Sequence, residues 1–277
     1  MTPEQYCQEK AAKSGSSFYY SFLFLPMERR LAITALYAFC REVDDVVDEC
    51  NDAGVARIKL AWWRSEIANT FNEQPQHPVT QALLPAIKRY NLAAEHFLEI
   101  IDGMEMDLDQ NRFADFKSLH LYCYRVASVV GLLSAEIFGY RDRKTLKYAH
   151  DLGMAFQLTN IIRDVGEDAR RNRIYLPLDE MARFGVTEAD IMSYQETEAF
   201  SRLMDFQVER ALHYYRQAFD QLPAIDRKPQ RTGLIMAAIY QTLLTEIHSD
   251  GCKVLSTRTS LPPLRKLWLA LKAWVKG

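Results

Sequence analysis

The chain has 277 residues, 48% apolar and 25% charged, which is enough to bury a sizeable core and is the balance of a soluble globular protein. A formal net charge of -2 gives no basic footprint for nucleic acid. Five scattered cysteines (Cys7, Cys40, Cys50, Cys123, Cys252) form no C-x-x-C pair, which argues against a disulfide framework or a zinc site and for reduced thiols in a cytoplasmic protein.

The first residues, Met1 to Tyr6, lack the basic and apolar regions of a signal peptide, and no run of 18 apolar residues predicts a membrane span. Helical periodicity dominates from there on. Pro26 followed by Glu28 opens a helix expected to run through Leu31, Leu36, Phe39 and Val43 to Val47. Further helices are predicted over roughly 53–72, 79–90, 93–109, 115–138, 142–165, 197–220 and 231–249. The breakers between them, such as 74–78, Asn111-Arg112, Gly139 and 227–229, are too short to be domain linkers. The expectation is a single all-α domain over 1–277 whose helices enclose a pocket.

About 253–277 stands apart as a basic amphipathic tail, with six basic residues and no acidic one. Leu264, Leu267, Trp268, Leu271, Trp274 and Val275 share one helical face. That pattern suits peripheral contact with the inner face of the cytoplasmic membrane, and equally a helix packed on the body with its lysines in water.

Two acidic segments carry the chemistry. In Arg41 to Glu49, Asp44 and Asp48 lie one helical turn apart. In Gln157 to Asp168, Asn160, Asp164 and Asp168 repeat that spacing, provided the helix continues through Gly166. Stacked like charges are unfavourable unless a cation neutralises them, and hard oxygen ligands suit Mg²⁺, with Mn²⁺ as an alternative. Arg41 and Arg163 reach the same faces as the carboxylates and can take phosphate oxygens. The charged stretch Gly166 to Pro177 reads as a loop able to close over a polyanion. The pattern is that of a magnesium–diphosphate clamp.

A diphosphate leaving from an allylic carbon would leave a carbocation, so the pocket beyond must be dry and partly aromatic. Phe18, Tyr19, Tyr20, Phe22, Tyr37, Tyr122, Tyr124, Phe156 and Tyr240 are the candidate lining. No histidine has ligand spacing, and no G-x-G-x-x-G follows a strand, so a Rossmann nicotinamide site is not expected.

These segments resemble the squalene/phytoene synthase family over nearly the whole chain: Ser14 to Phe22, Ala35 to Asp48, Tyr122 to Gly131 and Gln157 to Pro177. The resemblance implies the isoprenoid synthase fold, with helices around a central apolar cavity. By position it implies that Asp44, Asp48, Asn160, Asp164 and Asp168 are the metal–diphosphate residues, that Arg41 and Arg163 contact phosphate, and that Ser17, Arg258 and Tyr240 join them. Tyr122 matches a tyrosine that assists ionisation or rearrangement. Ser128 stands where the family often has glycine.

Within the family, Gly15 to Pro26 and Arg41 to Glu49 followed by Ala61-Trp62-Trp63 are similar to bacterial hopanoid-pathway members. The implied reaction is head-to-head (1'-1) condensation of two farnesyl diphosphates to presqualene diphosphate, without NADPH. Downstream squalene-forming enzymes would be the pathway partners. Phytoene, dehydrosqualene or squalene synthesis and a non-catalytic assembly role are the alternatives.

Overall fold

The periodic apolar residues fold as helices almost throughout the residues that the computed structural model describes, 1–13, 21–22, 24–50 and 52–276. In chain order these are α1 (Pro3–Lys13), α2 (Met27–Glu49), α3 (Ala53–Phe71), α4 (Pro78–Tyr90), α5 (Ala94–Asp109), α6 (Phe116–Cys123) and α7 (Val129–Phe138). They are followed by α8 (Lys144–Arg170), α9 (Leu178–Phe184), α10 (Glu188–Met192), α11 (Glu198–Gln221), α12 (Arg231–Ser249) and α13 (Pro263–Lys276). Among the described residues there is no sheet; Arg112 and Ile174 form an isolated parallel bridge. The fold is the expected all-α, single-domain isoprenoid synthase architecture.

Local chemistry sets the ends of these helices. Asp52 accepts a hydrogen bond from the Val55 amide at 2.9 Å and starts α3, and Asp115 with Ser118 forms a reciprocal cap at the start of α6. Asn91 ends α4 in the left-handed region, at φ 49°.

Two hydrophobic cores flank the cavity. One is built from α2 to α5 with α7, around Leu36, Phe39, Leu60 and Phe97. The other surrounds α8, which packs on α11 and α12 through residues such as Phe156, Ile162, Tyr215 and Leu244. A π-helical turn, Tyr124–Ser128, joins α6 to α7, so Phe116–Phe138 is one rod between the cores. By length and composition that rod could cross a membrane, but here it lines the cavity and is braced by Ser128, whose hydroxyl donates to the His150 carbonyl at 2.9 Å. All five cysteines are free.

One helix boundary is corrected. The second acidic helix does not stop near residue 165 but continues to Arg170, so Gly166 is helical and the loop begins only at Arg171. Gly166 is there for close approach: its amide donates to the Val254 carbonyl at 3.2 Å, and a Cβ would lie 2.6 Å from that oxygen and closer still to the Leu255 carbonyl. In the stretch after 252, Val254, Leu255 and Leu261 are buried against the body. Only α13 retains the two-sided character, with Leu269 and Ala270 packed inward and Leu264, Trp268 and Leu271 exposed.

Candidate active site

A cavity of about 870 Å³ runs between α2 and α8, polar at one end and apolar at the other. Helical geometry sorts the residues: those late in α2 and α8 reach the mouth, and those a few turns earlier face the interior. Asp44, Asp48, Asn160, Asp164 and Asp168 all line this one cavity, as do Arg41, Arg163, Tyr122, Tyr240 and Arg258. The two sequence motifs, more than a hundred residues apart, therefore share one opening. Ser17 and the aromatic residues Phe18 to Tyr20 lie outside the described residues.

Arginines occupy the carboxylates at the mouth. Arg41 donates to Asp44 at 2.5 Å and to Asp45 at 2.6 Å. Asp45 is also held by Lys10 of α1 at 2.8 Å, so the middle aspartate of the first motif ties two helices together. Asp48 pairs with Arg171 at 2.9 Å and Arg173 at 3.1 Å. Asp164 accepts from Arg163 at 2.7 and 2.5 Å and from Arg258 at 2.9 Å. Asn160 donates to Gln157 at 3.3 Å. With the side chains turned to these partners, no three hard ligands among the described residues converge on one ion position.

The donor set nevertheless fits a hard cation. Burial, with help from neighbouring carboxylates, pushes Asp44 up to about 6, Asp107 to about 6 and Asp168 to about 8. Asp44 feels Asp48 and Asp107; Asp168 feels Asp164 and Asp107. Carboxylates from α2, α5 and α8 thus repel one another at one place despite the surrounding arginines, and an oxygen-seeking divalent ion would relieve that repulsion.

Asp107 is a residue that sequence reasoning missed. Its carboxylate accepts from the Tyr122 hydroxyl at 2.9 Å and from the Tyr175 hydroxyl at 2.6 Å. The two rings stack at 5.2 Å between centroids, and Phe113 lies against Tyr175. Burial and the adjacent carboxylate raise both phenols well above their ordinary value, so they stay protonated. Arg171, Arg173 and Lys266 line the cavity as well, the first two from the charged stretch between Gly166 and Pro177. Met104 to Asp109, with three carboxylates late in a helix, was the available signal for Asp107.

Among the expected aromatic lining, Phe22, Tyr37, Tyr122, Phe156 and Tyr240 are in place. Tyr124 is not: it opens the π-helical turn, and its ring sits 5.8 Å from His150. Phe138, Tyr148 and Tyr175 line the cavity without having been expected there.

A family model described as squalene/phytoene synthase matches residues 11–265. Phytoene synthase of Arthrospira platensis is 36% identical over 277 residues, covering 94% of this chain and 89% of its own. Among solved structures, a dehydrosqualene synthase in complex with a ligand superposes with a TM-score of 0.90 at 28% identity, covering 99% of this chain and 96% of that one. Squalene synthase HpnC from Alicyclobacillus acidocaldarius superposes with a TM-score of 0.82 at 26% identity, covering 90% and 94%.

Proposed function

The chain belongs to the squalene/phytoene synthase family, and from that premise we propose that it joins two allylic prenyl diphosphates head to head, with the mouth of the cavity as the ionisation site. The observation that carries this reading is the meeting of the α2 and α8 carboxylates over a single apolar cavity.

Family membership implies a Mg²⁺-dependent mechanism, and Asp44, Asp48, Asn160, Asp164 and Asp168 are the residues that would hold the metal. A Mg²⁺ ion held there would supply neutralisation of charge on the departing diphosphate. Arg41, Arg163 and Arg258 can exchange their carboxylate partners for diphosphate oxygens, and Arg171 and Arg173, which pair with Asp48, can do the same from the loop. Tyr240, packed on Phe156 and in contact with Arg163, steadies that arginine. The apolar wall excludes water from the C1 cation until the C2–C3 double bond of the second substrate attacks it. Proton loss then closes the cyclopropane. Tyr122 stands at the wall with its hydroxyl donated to Asp107, an arrangement able to take a proton on the phenol oxygen while passing one to the carboxylate.

The phytoene and dehydrosqualene synthase likenesses favour a reaction that continues past the cyclopropyl intermediate to a hydrocarbon, without an external hydride donor. The second reading stops at presqualene diphosphate, as in the hopanoid-pathway enzyme HpnD. It is favoured by the residue patterns Gly15 to Pro26 and Arg41 to Glu49 followed by Ala61-Trp62-Trp63. The substrate is farnesyl diphosphate for presqualene diphosphate or dehydrosqualene and geranylgeranyl diphosphate for phytoene, and in either reading the exposed basic and apolar face of α13 is a contact surface for the membrane that takes up the product.

Incubation with each diphosphate and Mg²⁺, with and without NADPH, followed by mass spectrometry, tests the proposal. Phytoene or dehydrosqualene without NADPH supports the first reading and accumulated presqualene diphosphate the second. Squalene formed only with NADPH would replace both, and no condensation from either substrate would overturn the assignment.

A further inference from the structure

The apolar end of the cavity is closed by a side chain to which no sequence motif pointed. Tyr148 lies sixteen residues before Asp164 on α8, about 24 Å along the helix axis from the clamp. It is buried, and it lines the cavity together with Ile33, Ser134, Phe138, Gln230 and Gly233. Its ring reaches across from α8 to the first turn of α12, where Gly233 offers no side chain; a Cβ there would stand 2.6 Å from the Tyr148 hydroxyl oxygen. The next nearest atoms to that Cβ, Leu152 Cδ2 at 3.5 Å and Tyr148 Cζ at 3.6 Å, are ordinary contacts. The hydroxyl alone fills the space left by the glycine.

This end of the cavity is fixed. The Asp226 carboxylate accepts the Arg141 amide at 2.8 Å, the Asp142 amide at 3.0 Å and the Thr145 hydroxyl at 2.7 Å, pinning the start of α8 to the turn before α12. Gln230 donates to the carbonyls of Ala135 and Gly139 at 3.3 and 3.0 Å, tying α12 to the end of α7. The Tyr148 hydroxyl meanwhile has no hydrogen-bond partner among the described residues. Burying an unpaired hydroxyl is unfavourable, and a phenylalanine would avoid the cost. What the oxygen adds is one atom of reach, which seals the gap between α8 and α12.

We propose that Tyr148, seated against Gly233, is the floor of the prenyl cavity and sets the longest chain it accepts. The inference rests on the prenyl-diphosphate reading above and adds to it the residue pair that measures the tail. Each isoprene unit lengthens the tail by a fixed step while the diphosphate stays at the mouth, so a rigid floor discriminates by length.

The test compares wild type with Tyr148→Val, Tyr148→Phe, Gly233→Ala and the double variant Tyr148→Phe/Gly233→Ala. The readouts are kcat/KM for the C15, C20 and C25 allylic diphosphates and dissociation constants for their non-ionisable thiolo analogues. Tyr148→Val should raise the preference for each longer chain over the shorter by about tenfold or more. Gly233→Ala should lower it, because the new methyl drives the hydroxyl up into the cavity. The double variant should return to near the wild-type ratio, since removing the oxygen makes room for the methyl. That rescue also keeps the proposal testable if Tyr148→Val fails to fold.

A Tyr148→Val ratio within about twofold of wild type, or a double variant no different from Gly233→Ala, overturns the floor assignment. Wild-type protein that binds none of the analogues overturns the prenyl-diphosphate reading and the floor with it. Binding that is intact but insensitive to these exchanges overturns the floor alone.

Discussion

Tyr122, on α6, donates its hydroxyl to Asp107, on α5, at 2.9 Å, and this one bond joins the stacked tyrosine pair to the carboxylates at the cavity mouth. Since Tyr175 donates to the other oxygen of the same carboxylate, Asp107 fixes the orientation of both rings. Tyr122→Phe keeps the stacking and removes the hydroxyl to which we assign the proton transfer. It should lower kcat by about 10²-fold with little change in Tm. Unaltered kcat would remove Tyr122 from the chemistry.

Asp48 and Asp164 are only partly buried and are held by arginines at the cavity mouth. Replacing either with alanine should leave the fold intact by circular dichroism and reduce turnover by about 10²- to 10³-fold, the cost of losing one electrostatic group at an ionisation site. Retained full activity in either variant would contradict the clamp.

The raised carboxyls make stability depend on pH. Asp44 and Asp107, near 6, and Asp168, near 8, hold protons in the folded chain where the unfolded chain has released them. The native state then binds more protons, so stability falls as pH rises, from about 4 until the folded groups have ionised. Tm measured without divalent metal should decline across that range, and Asp168→Asn should flatten the decline. Mg²⁺ should raise Tm more at about pH 8 than at about pH 5, because it binds the ionised form. A Tm that is constant over this window would rule the effect out.

Gly166→Ala would push a methyl group into the Val254 and Leu255 carbonyls. The segment that carries Arg258 to Asp164 should shift outward, destabilising the protein by about 1–3 kcal/mol and weakening substrate binding. Calorimetry together with KM would show both effects, and a normal KM at reduced Tm would separate the helix contact from the arginine's placement.

The membrane surface is best tested on α13 itself, because deleting everything after 252 would also strip Arg258 from the site. Leu264→Ser, Trp268→Ser and Leu271→Ser alter exposed side chains and should leave Tm nearly unchanged. Flotation with anionic liposomes should fall for the triple variant. Equal partition with wild type would leave the exposed face without that role.

Much of this molecule was legible in the one-dimensional pattern. Apolar spacing of three and four residues is a local property of a helix, so α2 to α5, the Phe116–Phe138 rod, α11 and α12 could be placed from it. The spacing of Asp44 with Asp48, and of Asn160 with Asp164 and Asp168, likewise fixed which carboxylates share a face. Gly166 misled because glycine weakens an isolated helix, whereas here an approaching chain requires the missing side chain. Asp107, Tyr175 and Arg173 could not be joined to the mouth from sequence, since they lie on separate elements and meet only through packing. Tyr148 and Gly233 are a pair for the same reason: the sequence determined two helices and their faces, and the tertiary structure decided that a phenol on one would fill the space left by a glycine on the other.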